Sequence, residues 1–268
     1  MTETSEPILL REDHGPVRRL TLNAPASLNA LSNAMLAALQ TEFDALMDAP
    51  GIRVAVLAAN GRAFCAGHDL KEMTAARQSP DGGRGAFSTL FDACARMMQT
   101  IPRLPQPVIA EVHGLATAAG CQLVASCDMA VAAEEARFGV NGVNIGLFCS
   151  TPMVALSRAI PRKAAFEMLT TGRFVEAAEA QRLGLVNRVV PGADLRAETE
   201  ALAGTLAAKL GSAVKIGKRA FYEQLEMPLA QAYAHTGAVM VENMLHRDTA
   251  EGISAFIEKR PPGWHQDG

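Results

Sequence analysis

The chain has 268 residues, 49% of them hydrophobic and 20% charged, and a chain of this length can bury a core without disulfide or metal staples. The 25 basic and 28 acidic residues give a formal charge of -3 and are spread along the sequence, which argues against nucleic acid as a partner. The five cysteines form no C-x-x-C pair, so we expect reduced thiols and no metal site.

The start of the chain and its longest uncharged run give information on subcellular location and on membrane insertion. The opening residues, MTETSEPILLRED, are acidic and have neither the basic and apolar regions of a signal peptide nor an Arg-rich transit pattern. The uncharged run at 112–127 contains polar residues and glycines and is shorter than the roughly 20 apolar residues that a membrane span requires. We therefore predict a cytoplasmic protein with no membrane segment.

The first predicted elements are two strands with a helix between them. Residues 17–23 and 53–60 have the composition of strands, and the second (RVAVLAAN) is nearly all apolar, as in a strand buried on both faces. The helix begins after Ser32, a favourable N-cap residue, and stops before Pro50-Gly51. Its apolar residues recur at helical spacing: Met35, Leu36, Leu39, Phe43, Leu46 and Met47.

The same alternation continues downstream. A strand is predicted at 107–113, a helix from about 117 to 126, and further strands at 129–133 and 184–190. From 194 to 259 the pattern is almost wholly helical. The order predicts an α/β fold with a core domain at 1–193 and a C-terminal helical domain at 194–268. Residues 78–85 (QSPDGGRG) are predicted to be a mobile loop, either an ordinary solvent loop or a pocket lid.

Two stretches place a small-residue turn between a buried strand and a helix. GRAFCAGHDLKEM, with Gly67 in its turn, follows the strand at 53–60, and ATAAGCQLVASCD follows the strand at 107–113. Backbone N–H groups at a helix start lack intrahelical partners, so two of them converging on one oxygen would form an oxyanion hole. The alternative interpretation is that the small residues only serve tight packing.

Five motifs occur in the order that is typical of the crotonase, or enoyl-CoA hydratase/isomerase, superfamily. They are LNALS, FCAGHDLKEM, HGLATAAGCQLVASCD, LTTGRFVEAAEAQRLGLVNRVV and EGISAFIEKR, which together reach from Leu28 to Arg260. The pieces AAGCQLVASCD and GLFCSTP resemble its subgroup of enoyl-CoA hydratase domain-containing proteins. The resemblance implies a crotonase-like spiral of β-β-α units with a C-terminal helical trimerisation domain. It also implies a homo-oligomer, either a trimer or a dimer of trimers.

The resemblance further implies a ligand and its site. Acyl-CoA thioesters would bind with coenzyme A as part of the substrate and with no prosthetic group. The thioester oxygen would lie on the amides of His68 and Ala119, the second at a position where the family usually has glycine. The coenzyme would lie against residues near these turns, with two more from the C-terminal helix, often of a neighbouring subunit: Ala30, Ala66, His68, Asp69, Leu70, Lys71, Phe256 and Lys259.

The two glutamates with which the family's hydratases add water are missing. Gln122 and Gly142 occupy the matching positions. A neutral amide cannot take a proton from water near pH 7, and glycine has no side chain. The resemblance, together with these two replacements, therefore implies a lyase-family enzyme, nominally an enoyl-CoA hydratase/isomerase, whose oxyanion hole would stabilise a thioester enolate but whose hydration would be slow.

Other activities stay open at this point. His68 lies in an AGHDL context that resembles the methylmalonyl-CoA decarboxylase branch, although Cys149 replaces that branch's tyrosine. A non-catalytic acyl-CoA binder and an oligomeric interaction protein are the remaining alternatives. Asn141 and Asn144 are either polar pocket groups or turn formers. Cys149 and Ser150 are expected in the pocket wall, and Asp128 is expected to cap a helix or form a turn.

Overall fold

The computed structural model describes residues 6–264, and this range contains ten strands and eleven α-helices. The strands are β1 (Leu9–His14), β2 (Val17–Leu22), β3 (Val54–Ala59), β4 (Ala63–Cys65), β5 (Val108–Val112), β6 (Leu115–Thr117), β7 (Met129–Ala133), β8 (Arg137–Gly139), β9 (Phe174–Glu176) and β10 (Arg188–Val190). The helices are α1 (Asn33–Met47), α2 (Leu70–Ala76), α3 (Arg84–Arg103), α4 (Ala119–Ser126), α5 (Pro152–Ala159), α6 (Arg162–Thr171), α7 (Ala177–Leu183), α8 (Leu195–Ala207), α9 (Gly211–Leu225), α10 (Leu229–Met244) and α11 (Arg247–Ile257).

The strands form two sheets. The larger sheet has the order β1-β2-β3-β5-β7-β10, with all neighbours parallel except β1 and β2. The smaller sheet has the order β4-β6-β8-β9, in which only β8 and β9 are antiparallel. The chain thus places β3, β5 and β7 in the larger sheet and β4, β6 and β8 in the smaller one, each pair being followed by helix. This succession is the predicted spiral of β-β-α units, and the α/β class is confirmed.

Helix α1 follows its sequence pattern closely. The Ser32 hydroxyl accepts a hydrogen bond from the Met35 amide at 3.2 Å, as expected of an N-cap residue. The predicted apolar face is buried except for Met47 at the end of the helix, which is half exposed. The buried side chains join the main core, where they pack with residues of α3, α4 and the inner faces of both sheets.

The short strands of the smaller sheet were not predicted. The strands β4, β6, β8 and β9 contain three residues each, too few for an alternating pattern to emerge. The predicted helix at 117–126 begins only at Ala119, because Thr117 ends β6. The predicted strand at 184–190 shortens to β10, since Gly184 ends helix α7 in a left-handed conformation.

The predicted mobile loop is a set of hydrogen-bonded turns. The Asp81 carboxylate accepts hydrogen bonds from the Gly83 and Gly85 amides at 2.9 and 2.8 Å, and helix α3 starts at Arg84. None of residues 78–85 lines the main cavity described below. The lid interpretation therefore has no support in the structure.

A buried polar cluster joins the C-terminal helices to the sheets. Lys218 of α9 donates to the Asp128 carboxylate at 2.6 Å and to the carbonyls of Ile101 and Gln106 at 2.9 and 2.8 Å. Tyr222 donates to the other Asp128 oxygen at 2.8 Å. Asp128 is therefore the centre of a tertiary contact, so its expected role as a mere cap or turn residue is wrong. Burial lowers the pKa of Lys218, and Asp128 opposes that shift.

Residues 194–259 form helices α8 to α11, as the sequence predicts, with α8 packed on the larger sheet through a second core cluster. The division into domains at 1–193 and 194–268 stays a prediction, and residues 1–5 and 265–268 at its ends lie outside the described residues. None of the helices in the described range combines the length and the apolar character that a bilayer crossing needs.

Candidate active site

A cavity of about 350 Å³ lies at the carboxyl ends of β4, β6 and β8. Its walls come from the three segments that follow these strands, within residues 66–73, 117–119 and 141–152, together with Phe91 of α3. The carboxyl edge of parallel strands is a common place for ligand sites. The lining is largely apolar, and none of the described residues in it is aspartate or glutamate.

The two small-residue turns predicted from the sequence meet at this cavity. A Cβ atom on Gly67 would lie 2.9 Å from the Ala118 Cβ and 3.3 Å from the Ala119 amide nitrogen. A Cβ atom on Gly120 would lie 2.2 Å from the Cys65 carbonyl oxygen. Both glycines are therefore required for the close approach of the turn after β4 to the start of α4.

The amides of His68 and Ala119 are both available to a ligand. Ala119 is the first residue of α4, so its N–H has no intrahelical partner. In the short parallel bridge between residues 31 and 68, the Leu31 amide donates to the Gly67 carbonyl at 2.7 Å. That register leaves the His68 amide outside the bridge. Within residues 6–264, neither amide donates to a protein acceptor.

Ala118, which directly precedes the Ala119 amide, has an unusual backbone conformation. Its φ is 49° and its ψ is -120°, a region that residues with a Cβ rarely adopt. The conformation is held on both sides, because the Ala118 amide donates to the Gly139 carbonyl at 2.9 Å and its own carbonyl accepts from Gln122 at 3.0 Å. The strained peptide sets the direction of the Ala119 N–H.

The His68 side chain lies in the cavity wall as a neutral imidazole. Burial lowers its pKa to about 4. Its ring meets the Phe91 ring edge to face, with 5.5 Å between centroids. The Nε2 atom is buried and has no hydrogen-bond partner among the described residues. The imidazole can therefore offer a hydrogen bond to a ligand but carries no charge near pH 7.

Gln122 and Gly142, which the resemblance predicts at the positions of the hydratase glutamates, differ in their relation to the cavity. Gln122 is buried, with 4% of its surface exposed, and does not line the cavity. Gly142 does line it, but a Cβ atom there would lie 2.2 Å from the Leu147 carbonyl oxygen and 2.9 Å from the Cys149 Sγ. The loop after β8 is thus folded around a glycine and has no room for a larger residue at 142 without a backbone shift.

Cys149 and Ser150 lie in the cavity wall, where the sequence predicts them. Burial raises the pKa of the Cys149 thiol, which disfavours the thiolate that a nucleophile needs. All five cysteines are buried and unpaired. Residues 6–264 contain no group of three or more His, Cys, Asp or Glu side chains that could hold a metal ion.

The predicted coenzyme-binding residues fall into two separate groups. The segment at 28–31 pairs with the turn after β4, because the Ala66 amide donates to the Leu28 carbonyl at 3.0 Å, and this brings Ala30 beside the turn. Asp69 caps α2 through the Lys71 and Glu72 amides. The second group is Phe256 and Lys259 at the end of the chain's helical part, and neither residue lines the cavity of its own chain.

Two features of the site were not predicted from the sequence. Phe91 lies 23 positions after His68, and only the fold of α2 and α3 brings the two rings together. Thr117 donates a hydrogen bond to Asn141 across the smaller sheet, whereas the sequence left Asn141 open as a pocket group or turn former. A second cavity, of about 320 Å³, lies between the core and α8–α9 and contains none of the predicted site residues.

Comparison with known proteins places the chain in a family. The family described as Enoyl-CoA hydratase/isomerase matches residues 12–267. The chain belongs to the enoyl-CoA hydratase/isomerase family. Enzymes of this family use CoA thioesters as substrates without a prosthetic group, so coenzyme A enters as part of the substrate, as predicted.

Individual relatives support the subgroup as well. The chain is 48% identical over 256 residues to the mitochondrial enoyl-CoA hydratase domain-containing protein 3 of Xenopus laevis, which covers 96% of this chain and 85% of that protein. The crystal structure of the human domain-containing protein 3 has a TM-score of 0.91 at 45% identity, covering 96% of this chain and all of the other. An enoyl-CoA hydratase from Mycobacterium smegmatis has a TM-score of 0.93 at 56% identity, covering 97% of this chain and 100% of that one.

The predicted cytoplasmic location is wrong by this comparison. The relatives from Xenopus, human and rat are all named as mitochondrial, which contradicts the prediction. The prediction depended on the opening residues, of which 1–5 lie outside the described range.

Proposed function

We propose that the protein is an acyl-CoA thioester enzyme in which the amides of His68 and Ala119 bind the thioester oxygen and stabilise a thioester enolate. The observation that carries this proposal is the meeting of two turns at one cavity, each with an unpartnered amide. Preorganised N–H donors already point at the developing oxyanion, so no free energy is spent on reorienting them during the reaction. Loss of one such donor typically lowers the rate by a factor of about 10² to 10³.

The proposal includes where the coenzyme lies. Ala30, Ala66 and residues 68–71 lie in or beside the turn after β4 and would contact the coenzyme. Phe256 and Lys259 would come from a neighbouring subunit of a trimer or a dimer of trimers. Support comes from Phe256, 85% exposed on its own chain, and from an apolar C-terminal surface that a monomer would leave in water. Its most exposed members are Leu229, Tyr233, Leu245, Phe256 and Ile257.

The proposed chemistry does not include efficient water addition. Hydration needs one group to deprotonate water and another to protonate the α-carbon, and each such group contributes about 10² to 10⁴ in rate. None of the described cavity residues has a carboxylate, and His68 is the one ionisable nitrogen among them. The described cavity residues therefore do not offer the acid and base that a hydratase of the two-glutamate type uses.

Decarboxylation is the second candidate, and the unpartnered His68 imidazole favours it. In a 2-carboxyacyl thioester the bond between C2 and the carboxylate would break, CO₂ would leave, and the electron pair would move to the thioester oxygen on the two amides. A proton from water would then complete C2. The neutral imidazole would hold the departing carboxylate, with no cavity aspartate or glutamate to repel it.

The test is a panel of crotonyl-CoA, butyryl-CoA, malonyl-CoA and methylmalonyl-CoA, with products identified by mass spectrometry and binding measured by calorimetry. We expect binding of CoA thioesters, with little 3-hydroxybutyryl-CoA formed from crotonyl-CoA. Loss of 44 mass units from malonyl-type thioesters would identify the decarboxylase. Binding without any product would indicate a non-catalytic acyl-CoA binder, and absence of binding by every thioester would reject the proposal.

A further inference from the structure

A polar pair interrupts the apolar wall of the cavity. Thr117 ends β6 and Asn141 follows β8, and these strands pair in parallel with Thr117 opposite Gly139. The two side chains therefore meet at the carboxyl edge of the smaller sheet, where both line the cavity. The Thr117 hydroxyl donates to the Asn141 Oδ1 at 2.5 Å, and Thr117 is only 7% exposed.

This hydrogen bond fixes the orientation of the Asn141 amide. A hydroxyl has one proton, and here that proton is given to Oδ1, so the Nδ2 amine is the end left for other partners. Within residues 6–264 the Nδ2 atom makes no hydrogen bond, and Asn141 stays partly exposed in the cavity. Its neighbours along the wall are apolar and include Ile145, Leu147 and Phe148. A bound molecule that covers Nδ2 must supply an acceptor or leave a donor unpaired.

The pair lies close to the proposed position of the thioester. Thr117 and Ala119 are two residues apart in one turn, a span of at most about 7 Å. Asn141 is adjacent to Gly142, which also lines the cavity. An acyl group with its carbonyl oxygen on the Ala119 amide would therefore pass Asn141 with the carbons next to the thioester.

We infer that Asn141, oriented by Thr117, donates a hydrogen bond to an oxygen carried on C3 of the acyl group. The site then selects 3-hydroxyacyl, 3-oxoacyl or malonyl-type thioesters over plain alkyl thioesters of the same length. Asn141 is the specificity residue and Thr117 is a positioning residue that acts through it. The inference rests on the proposed binding of acyl-CoA in this cavity.

The experiment compares dissociation constants for butyryl-CoA, 3-hydroxybutyryl-CoA, acetoacetyl-CoA and malonyl-CoA by calorimetry. We expect the wild-type protein to bind at least one C3-oxygenated thioester about tenfold or more tightly than butyryl-CoA, because the alkyl chain leaves the Asn141 amine unpaired. The thioester with the strongest preference identifies the oxygen that is recognised. In Asn141→Leu, a change of similar size, this preference should disappear while butyryl-CoA still binds.

Three further variants separate recognition from general structure. Asn144 donates to the Gly172 carbonyl at 3.4 Å and does not line the cavity, so Asn144→Ala should keep the preference. Thr117→Val removes the orienting hydroxyl proton, so it should reduce the preference for C3-oxygenated thioesters and change the binding of butyryl-CoA little. Thr117→Ser keeps a hydroxyl and should therefore keep the preference. A structural role alone would change the binding of all four thioesters together.

Three results would overturn the inference. Equal binding of butyryl-CoA and all three oxygenated thioesters by the wild-type protein would reject it and leave the proposed function intact. A preference that survives in Asn141→Leu would assign recognition to another residue. If no thioester bound at all, the proposed function would fail, and this inference would fail with it.

Discussion

At the scale of single residues, Ala118 combines structural cost with a role in orienting an amide. A non-glycine residue in such a conformation costs about 1–3 kcal/mol, and glycine adopts it without a Cβ penalty. We therefore expect Ala118→Gly to raise the free energy of unfolding by about 1 kcal/mol. Ala201→Gly, in the exposed middle of α8, is the matched control and should lower it by about 1 kcal/mol.

Thermal unfolding of the two variants is the measurement. A lower melting temperature for Ala118→Gly would show that this peptide is unstrained. The same variant keeps the Ala119 N–H, so any loss of acyl-CoA affinity would come from a changed direction of that group rather than from its removal.

His68 makes a second residue-scale prediction, on pH. Its pKa in the folded protein is about 4, below the ordinary value of about 6.5, because burial disfavours the imidazolium. Between these two values the unfolded chain binds more protons than the folded one, so stability falls as the pH decreases from about 6.5 toward 4. At pH 4.5 the loss is about 2–3 kcal/mol relative to pH 7.

In His68→Gln this contribution is absent. The fall in unfolding free energy between pH 7 and pH 4.5, measured by urea denaturation, should therefore be smaller than in the wild-type protein by that amount. Identical pH profiles for His68→Gln and the wild-type protein would mean that the imidazole is not buried in solution.

At the scale of elements, the loop after β8 determines whether position 142 can carry a glutamate. The Cβ atom of any residue at 142 would meet the Leu147 carbonyl oxygen at 2.2 Å, so even Gly142→Ala should destabilise the protein by about 1–3 kcal/mol. Gly217 in α9 has open space around it, and Gly217→Ala should instead stabilise the helix. Denaturation midpoints of the two variants check this contrast.

The steric clash at position 142 also affects what can be expected of hydration. We expect crotonyl-CoA hydration by the wild-type protein to be slow, and we expect Gln122→Glu with Gly142→Glu not to restore it, because the second substitution displaces the loop that forms the cavity wall. Rapid hydration by the unmodified protein, measured by loss of the enoyl absorbance, would contradict the account and make His68 the first group to test.

How far the sequence predicted these elements depends on the range of the interactions that form them. Helix α1 was predicted with its Ser32 cap, because both the cap and the apolar spacing are local. The short strands β4, β6 and β8 were not, because their three residues are extended only by pairing with each other. The contacts of Asp128 with Lys218 and of His68 with Phe91 join distant segments, so no local pattern could indicate them. The amides of His68 and Ala119 were named through a family resemblance rather than from spacing.

At the scale of the whole molecule, the Lys218 cluster holds the C-terminal helices on the core. Removing one partner of a buried ion pair leaves an uncompensated charge, which typically costs about 3–5 kcal/mol. Lys218→Met should therefore lower the unfolding free energy by several kcal/mol. The exposed pair of Arg196 and Glu200 is the control, because Arg196→Met should change it by less than about 1 kcal/mol. Equal effects of the two substitutions in denaturation experiments would mean that the cluster does not hold the helices.

The last prediction concerns assembly and the coenzyme together. The family resemblance implies a trimer or a dimer of trimers, and the exposed apolar surface of α10 and α11 favours assembly. We therefore expect a mass in solution of three or six times 28.4 kDa, which light scattering can measure. If Phe256 and Lys259 serve a neighbour's site, a chain with both replaced by alanine has an intact cavity but lacks the two side chains that its neighbour needs. A chain with Ala66→Trp has a blocked cavity but an intact helix.

Each of these two variants alone should bind acyl-CoA weakly. Mixed oligomers made by co-expression should regain tight binding at some sites, because an intact cavity on one chain then meets an intact α11 on the next. The number of tight sites, counted by calorimetry, distinguishes the arrangements. If Phe256 and Lys259 act within their own chain, mixing restores no tight site, since every chain then carries one defect of its own. A monomer at micromolar concentration would also exclude the shared site, because no neighbour would be present to supply the two side chains.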